Sequence, residues 1–205
     1  MKVSHPIARK LLARLESSAG AVVSAKDLLD LGPRTAVDQA LSRLVREGRI
    51  QRVRRGLYAW PRTSALLKRP AIPAPDELAQ AWAKKNGLRL VPSGAYAANL
   101  LGLTTQVPAK ITYYTNGRTN TLTLGPYSIR LLNRGPKTMD VSGRVSALVL
   151  QALRYLGKDG VTPEKIARLR TVLHKRDRAE LALALSHAPA WMMPVVQQII
   201  DKRSR

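Results

Sequence analysis

Arg34, Thr35, Gln39, Ser42, Arg43 and Arg46 recur at the steps that place side chains on one face of a 3.6-residue spiral, and Arg52, Arg54 and Arg55 follow shortly after. A guanidinium is a planar fork of N–H donors that fits a phosphate or the O6/N7 edge of guanine. A glutamine amide, donor and acceptor together, fits the edge of adenine, and a hydroxyl can serve either kind of group. Such a set implies recognition of a polyanion carrying bases. Base contacts are expected first from the amino-terminal half of the stripe, because that end of a groove-bound helix points inward. Arg52, Arg54 and Arg55 are expected on phosphate or in a narrow minor groove, where they add affinity with little sequence information. Asp38 could accept from cytosine, but ordinary i,i+4 spacing favours an ion pair with Arg34.

The elements that must hold these side chains can be read around them. Ala36, Val37, Ala40, Leu41, Leu44 and Val45 form the apolar face of the same helix; Pro33 suits its start, and Gly48 suits a left-handed closing residue. Arg49 to Val53 and Leu57 to Trp60 then read as two short strands around Arg54-Arg55-Gly56, a hairpin with a cationic tip. Upstream, Ile7, Leu11, Leu12 and Leu15 make an apolar stripe on a first helix. Ala21-Val22-Val23 can pair with the hairpin, and Ser24-Ala25-Lys26-Asp27 has capping-box spacing before Leu28 and Leu29. Leu31-Gly32-Pro33 is the turn between the short helix and the long one. This order is that of a winged helix-turn-helix, whose recognition helix enters a major groove about 12 Å wide while the wing follows the backbone. Tyr58 and Trp60 are expected to cover its core rather than to stack on bases.

The chain's 205 residues carry a formal net charge of +22, and 45% of them are hydrophobic, enough for real cores. The charge is not confined to a tail: residues 1–61 hold 12 basic against 5 acidic side chains, and residues 144–205 hold the same numbers. A field spread in this way favours salt-dependent encounter with phosphate. There is no cysteine, hence no disulfide, and no apolar run long enough to span a membrane or act as a secretory signal, so a cytoplasmic protein without membrane association is expected.

Residues 1–61 are therefore expected to form the winged-helix domain, 62–75 a proline-rich basic linker and 76–205 a second domain, giving an α+β chain overall. The linker holds prolines 61, 70, 73 and 75 at or near its ends and a short patch at Ala65-Leu66-Leu67. Pro75-Asp76-Glu77 suits the positive end of a helix that runs to Lys84 and Lys85 and closes at Gly87. A strand at Leu88 to Val91 and a small-residue helix from Ser93 to Leu101 come next. Residues 110–115, 119–124 and 127–132, separated by Asn116-Gly117 and Gly125-Pro126, suggest a short antiparallel meander. Helical periodicity returns from Val145, with Thr162-Pro163-Glu164 as one start and Asp177 and Glu180 at capping-box spacing as another. Trp191-Met192-Met193 suits either a partner surface or a terminal helix docked on its own domain, the commoner case. The basic sets Lys165, Arg168, Arg170 and Lys175, Arg176, Arg178 are either a further phosphate-binding face or solvated helix charges.

The run Ala40-Leu41-Ser42-Arg43-Leu44-Val45-Arg46-Glu47-Gly48-Arg49-Ile50, followed by Arg54-Arg55-Gly56-Leu57-Tyr58, resembles the N-terminal winged helix of the AbiEi family of antitoxins and its DUF6088 relatives. Pro92 to Leu103 and Ile111 to Gly117 are similar to the start of that family's second domain. The resemblance covers about residues 1–135; the helical remainder matches by order of elements. It implies a non-enzymatic antitoxin that represses its own operon by binding double-stranded DNA at promoter repeats, as a monomer or a homodimer. It further implies a nucleotidyltransferase-like toxin as a partner, countered directly or functionally. No cofactor or metal is implied.

Other classes are less supported. His5, His174 and His187 are dispersed, no metal-binding spacing is present, and neither a Walker loop nor a G-x-S-x-G elbow occurs, so catalysis is not expected. A stand-alone winged-helix regulator, with a C-terminal domain that dimerises or senses a ligand, is the alternative. A winged helix by itself is shared by repressors, activators and interaction modules.

Overall fold

The computed structural model describes residues 6–18, 21–63, 70–141 and 143–201, and they divide between two compact units. The first comprises Met1–Leu88 with Thr123–Tyr127; the second comprises Arg89–Leu122 with Ser128–Arg205. The fold class is α+β.

In the first unit, α1 (Pro6–Ser17), a short 3-10 helix (Ala25–Leu31) and α2 (Arg34–Arg46) enclose a core with a three-stranded sheet of β1 (Val22–Ser24), β2 (Gln51–Arg54) and β3 (Leu57–Ala59), ordered β1-β3-β2. Leu11, Leu15, Leu28, Val37, Leu41 and Leu44 are fully buried, so the apolar spacing read along α1 and α2 is the spacing that makes contact. Tyr58 is buried in this cluster and Trp60 packs against its edge. Both aromatic residues thus take the core role expected of them. Gly48 closes α2 at φ 67°, a backbone conformation that costs a side-chain-bearing residue more than glycine.

The Ser24 start signal is realised in full. Asp27 N donates to Ser24 Oγ at 3.3 Å while Ser24 N donates to the Asp27 carboxylate at 3.2 Å, although the turn that follows is 3-10 rather than α. The same carboxylate holds Lys84 Nζ at 2.9 Å. Burial works against ionisation of Asp27, but the hydrogen bonds from Lys84 and Ser24 together outweigh it and hold the carboxyl below its ordinary value of 3.8. Its stabilising contribution is therefore present above that ordinary value and is lost as pH falls through the lower, folded one. Asp27→Asn is expected to cost about 1–2 kcal/mol near neutrality, the scale of a lost cap, and thermal melts of variant and wild type should converge in strong acid. A gap between the melts that is independent of pH would contradict this account.

Beyond the wing, the proline-rich stretch departs from the simple linker read in the sequence. Its ends pair as β4 (Arg62–Thr63) and β5 (Pro70–Ala71), while the patch at 65–67 lies outside the described residues. Helix α3 (Pro75–Lys85) then belongs to the first unit, so the compact units divide after Leu88 instead of at residue 75. The reason is visible in its attachments: Lys84 to Asp27, Lys85 Nζ to the Arg55 carbonyl at 2.6 Å, and Glu77 to Arg62 at 3.4 Å. Sequence composition marked a break in hydrophobic periodicity, whereas packing placed the boundary one helix later.

The second unit holds a four-stranded sheet of β6 (Leu90–Pro92), β7 (Ile111–Thr115), β8 (Asn120–Leu124) and β9 (Tyr127–Asn133), whose hairpin tip is shared with the first unit. The strands and turns fall where the sequence places them, but they do not form a meander. The order is β6-β7-β9-β8, with β9 parallel to β7 in the register Ile111↔Ile129 and Tyr113↔Leu131, and β6 antiparallel to β7 on its other side. Asn116-Gly117 does not fold β8 back onto β7. Asn116 Oδ1 instead accepts from Arg89 N at 2.9 Å, and Asn133 donates to the Gly117 carbonyl at 2.7 Å, so the connection passes over the end of β9. Tyr113 is fully buried, edge-on to Tyr96 at 5.5 Å between centroids. Tyr114, on the opposite face, is half-buried beneath the Arg134 guanidinium at 5.0 Å.

Helices complete this unit: α4 (Gly94–Leu100), α5 (Pro136–Met139), α6 (Arg144–Gly160), α7 (Pro163–Val172), α8 (Lys175–Leu183) and α9 (Met193–Ile200). Gly157 breaks α6 at φ 69°, as the glycine's position suggested. The cap of α8 lies one turn earlier than the Asp177–Glu180 spacing implied. Asp177 is the third helical residue and accepts from His174 N at 2.9 Å, which frees Glu180 for an ion pair with Arg176 at 3.2 Å. Met192, Val196 and Ile199 are buried in the unit's core, while Met193, Pro194, Gln197 and Gln198 face outward, so the terminal helix docks on its own unit. No helix among the described residues is long and apolar enough to cross a membrane.

Candidate nucleic-acid interface

Helix α2 turns Val37, Leu41 and Leu44 inward and leaves Arg34, Thr35, Gln39, Ser42 and Arg46 exposed, with Arg43 half-exposed. Three of the polar side chains expected on this face come together: Gln39, Arg43 and Arg46 line a shallow depression floored by Ala36 and Ala40, and the two arginines come from the carboxy-terminal half of the helix instead of the amino-terminal half favoured by the sequence. The two alanines matter because a larger side chain at either position would fill the space between the donors. Arg34 is tied to Asp38 through Nε at 2.8 Å, the i,i+4 pair favoured by the spacing. Arg43 approaches Glu47 only to 4.0 Å, which leaves most of its donor fork open to solvent. Both pairs are exposed and contribute little to stability.

The wing is short. A bulge between Arg52 and Arg54 bends β2, leaving Arg52 exposed opposite Tyr58 and turning Arg54 half-inward. There Arg54 donates to the Thr123 carbonyl at 2.7 Å, so part of its fork holds the first unit together instead of facing solvent. Arg55 remains exposed at the tip, where Gly56 supplies the turn at φ 72°. Of the three wing arginines expected on phosphate, Arg52 and Arg55 are thus the more available.

Two further segments add lysines that the sequence did not assign to this face. Lys85, at the end of α3, reaches the wing tip through its bond to the Arg55 carbonyl, and Lys26, on the 3-10 helix, lies 3.4 Å from the Lys85 carbonyl. Partial burial, and then the charges of Arg54, Lys26, Arg55 and Arg34, lower the Lys85 ammonium below its ordinary value. Positive charge from four elements therefore converges beside the start of α2. The doublet Lys84-Lys85 reads in sequence only as a complement to its own helix dipole. A pairing across 30 residues leaves no local signal.

The two basic sets of the C-terminal helices do not form such a face. Arg178 donates to the carbonyls of Arg170 and Leu173, Arg170 to that of Gln198 at 2.8 Å, and Lys165 to that of Gly160 at 2.6 Å. These carbonyls stand at helix ends, where no intrahelical donor reaches them. The side chains are therefore structural caps, while Lys175 and Arg176 stay at the surface. Of the histidines, His174 precedes α8, His187 offers its carbonyl to Arg154 at 2.8 Å, and His5 lies outside the described residues. Among the described residues, no group of three or more His, Cys, Asp or Glu side chains is placed to hold a metal ion.

Three helices, a three-stranded sheet with a cationic hairpin, and a polar outer face on the third helix define a winged-helix protein, here joined to an α+β unit. The chain belongs to the DUF6088 family, described as a family of unknown function, whose model matches residues 10–181. Among solved structures it is similar to the RV2827C protein from Mycobacterium tuberculosis, at 18% identity over 95% of this chain and 76% of that one, with a TM-score of 0.43. No curated protein matches the chain.

Proposed function

We propose that this protein is a cytoplasmic, non-enzymatic DNA-binding autorepressor and antitoxin. In this reading the winged helix binds promoter repeats of its own operon, alone or as a homodimer, and the chain counters a nucleotidyltransferase-like toxin encoded beside it. The observation that carries the DNA half is the grouping of Gln39, Arg43 and Arg46 around a small-residue floor on the exposed face of α2, flanked by the convergent charge at the wing. Donor forks and an amide at one groove-sized face supply base readout, and the surrounding cations supply phosphate affinity. The antitoxin half is supported by the resemblance of residues 40–58 and 92–117 to the AbiEi antitoxins.

Two measurements test the halves separately. Fluorescence anisotropy should show the protein preferring a duplex from its own promoter over a scrambled one by at least about a thousandfold at near-physiological salt, the lower end of the range for specific binders. Equal affinity for both duplexes would remove the repressor reading. Co-expression with the neighbouring nucleotidyltransferase-like gene should restore growth that the gene alone arrests. Promoter binding without rescue would leave a stand-alone regulator, the alternative reading.

A further inference from the structure

We propose that Lys26, Arg34, Arg55 and Lys85 form one phosphate-binding subsite, built from four segments of the first unit, that grips the DNA backbone beside the wing tip. The proposal rests on the DNA-binding reading and extends its interface to two residues, Lys26 and Lys85, that lie outside both the recognition helix and the wing.

Geometry fixes the members in place. Lys85 Nζ sits 2.6 Å from the Arg55 carbonyl and packs so closely on the wing turn that a Cβ at Gly56 would come within 2.8 Å of it. Lys26 Nζ is held 3.4 Å from the carbonyl of Lys85 itself, so the second ammonium is anchored on the residue that bears the first. Each ammonium has three donors, and these bonds use one apiece. Arg55 is exposed at the tip, and Arg34, at the start of α2, is near enough to Lys85 for its charge to act on that ammonium.

The acidic groups nearby are already engaged. Asp27 is held by Ser24 and Lys84, and Asp38 by Arg34, so among the described residues neither of these carboxylates pairs with Lys26, Arg55 or Lys85. Carbonyl capping alone would need one lysine at the wing. A second lysine bound to α3 adds positive charge and no further support for the wing; burial first, and then the charges of Arg54 and Lys26, lower the proton affinity of Lys85. A phosphate placed among these groups removes that repulsion and offers acceptors to the unused donors. The contact is sequence-independent, since no base edge is involved.

The test is a salt titration of duplex binding by the full chain and its Lys26→Gln and Lys85→Gln variants, on promoter and scrambled duplexes. Each substitution should flatten the slope of log affinity against log salt by about 1, weaken both duplexes by the same factor and leave the preference between them unchanged. Lys85→Arg should retain the wild-type slope. Because the Lys26 ammonium bonds to α3 and not to the wing, its variant separates phosphate binding from wing support. A normal slope for Lys26→Gln beside a flattened one for Lys85→Gln would reduce Lys85 to a wing latch and overturn the subsite. Normal slopes for both would overturn it while the DNA reading stands, whereas failure of the unaltered protein to bind either duplex would sink the DNA reading, and the subsite with it.

Discussion

Arg43→Ala is expected to abolish most of the protein's preference for its promoter duplex, lowering the ratio of specific to random affinity by about 5- to 150-fold, the worth of one bidentate base contact at about 1–3 kcal/mol. Arg43 is suited to this role because Glu47, its one ionic neighbour among the described residues, is 4.0 Å away and it borders the same depression as Gln39 and Arg46. Gln39→Ala should act in the same direction at the neighbouring base pair. Arg55→Ala is the contrasting variant: it should weaken both duplexes alike and flatten the salt dependence by about 1. It is a cleaner probe of the wing than Arg54→Ala, which also removes the bond to the Thr123 carbonyl. Anisotropy against both duplexes checks all three. Uniform weakening by Arg43→Ala and Gln39→Ala would mean that α2 lies on the backbone and reads no bases.

The largest effect on stability is expected at Gly94, the first residue of α4. A Cβ built there would lie 2.6 Å from the Tyr155 Cβ and 3.0 Å from the Gln151 carbonyl, so α4 and α6 approach more closely than any side chain permits. Neither atom can swing away, one being backbone and the other rooted on it. Gly94→Ala should therefore cost about 1–3 kcal/mol by overpacking, and Gly94→Val more, because branching at Cβ enlarges the clash. Gly135→Ser is the control, since a Cβ there meets nothing within 4 Å and serine suits the start of α5. Denaturant unfolding of the three variants checks the order. A Gly94→Ala variant as stable as wild type would show that the two helices can separate without loss.

Much of the first unit was legible because its signals are local. The capping box at Ser24, the apolar step from Val37 to Leu44 and the glycine at the wing each concern residues within one turn of their partners. The face of α2 that bears Gln39, Arg43 and Arg46 follows from the same periodicity. What could not be read is long-range. Strand propensity located β7, β8 and β9, but not the insertion of β9 between the other two, because neighbour order is set by which apolar faces meet and not by the turn residues alone. In the same way, Arg170 and Arg178 look like surface charge until the helix ends they cap are in place, and Lys85 belongs to its own helix until that helix meets the wing.

The first unit also takes five residues, Thr123–Tyr127, from beyond the start of the second. A nascent chain that has passed Lys85 has all its helices for this unit but still lacks the carbonyl that receives Arg54. During synthesis the winged helix thus reaches its final form only after the strands of the second unit's sheet begin to emerge. A fragment cut after the wing, or even after α3, would present the recognition helix on an unfinished frame. Premature termination before Thr123 would then deprive the wing's Arg54 of its acceptor.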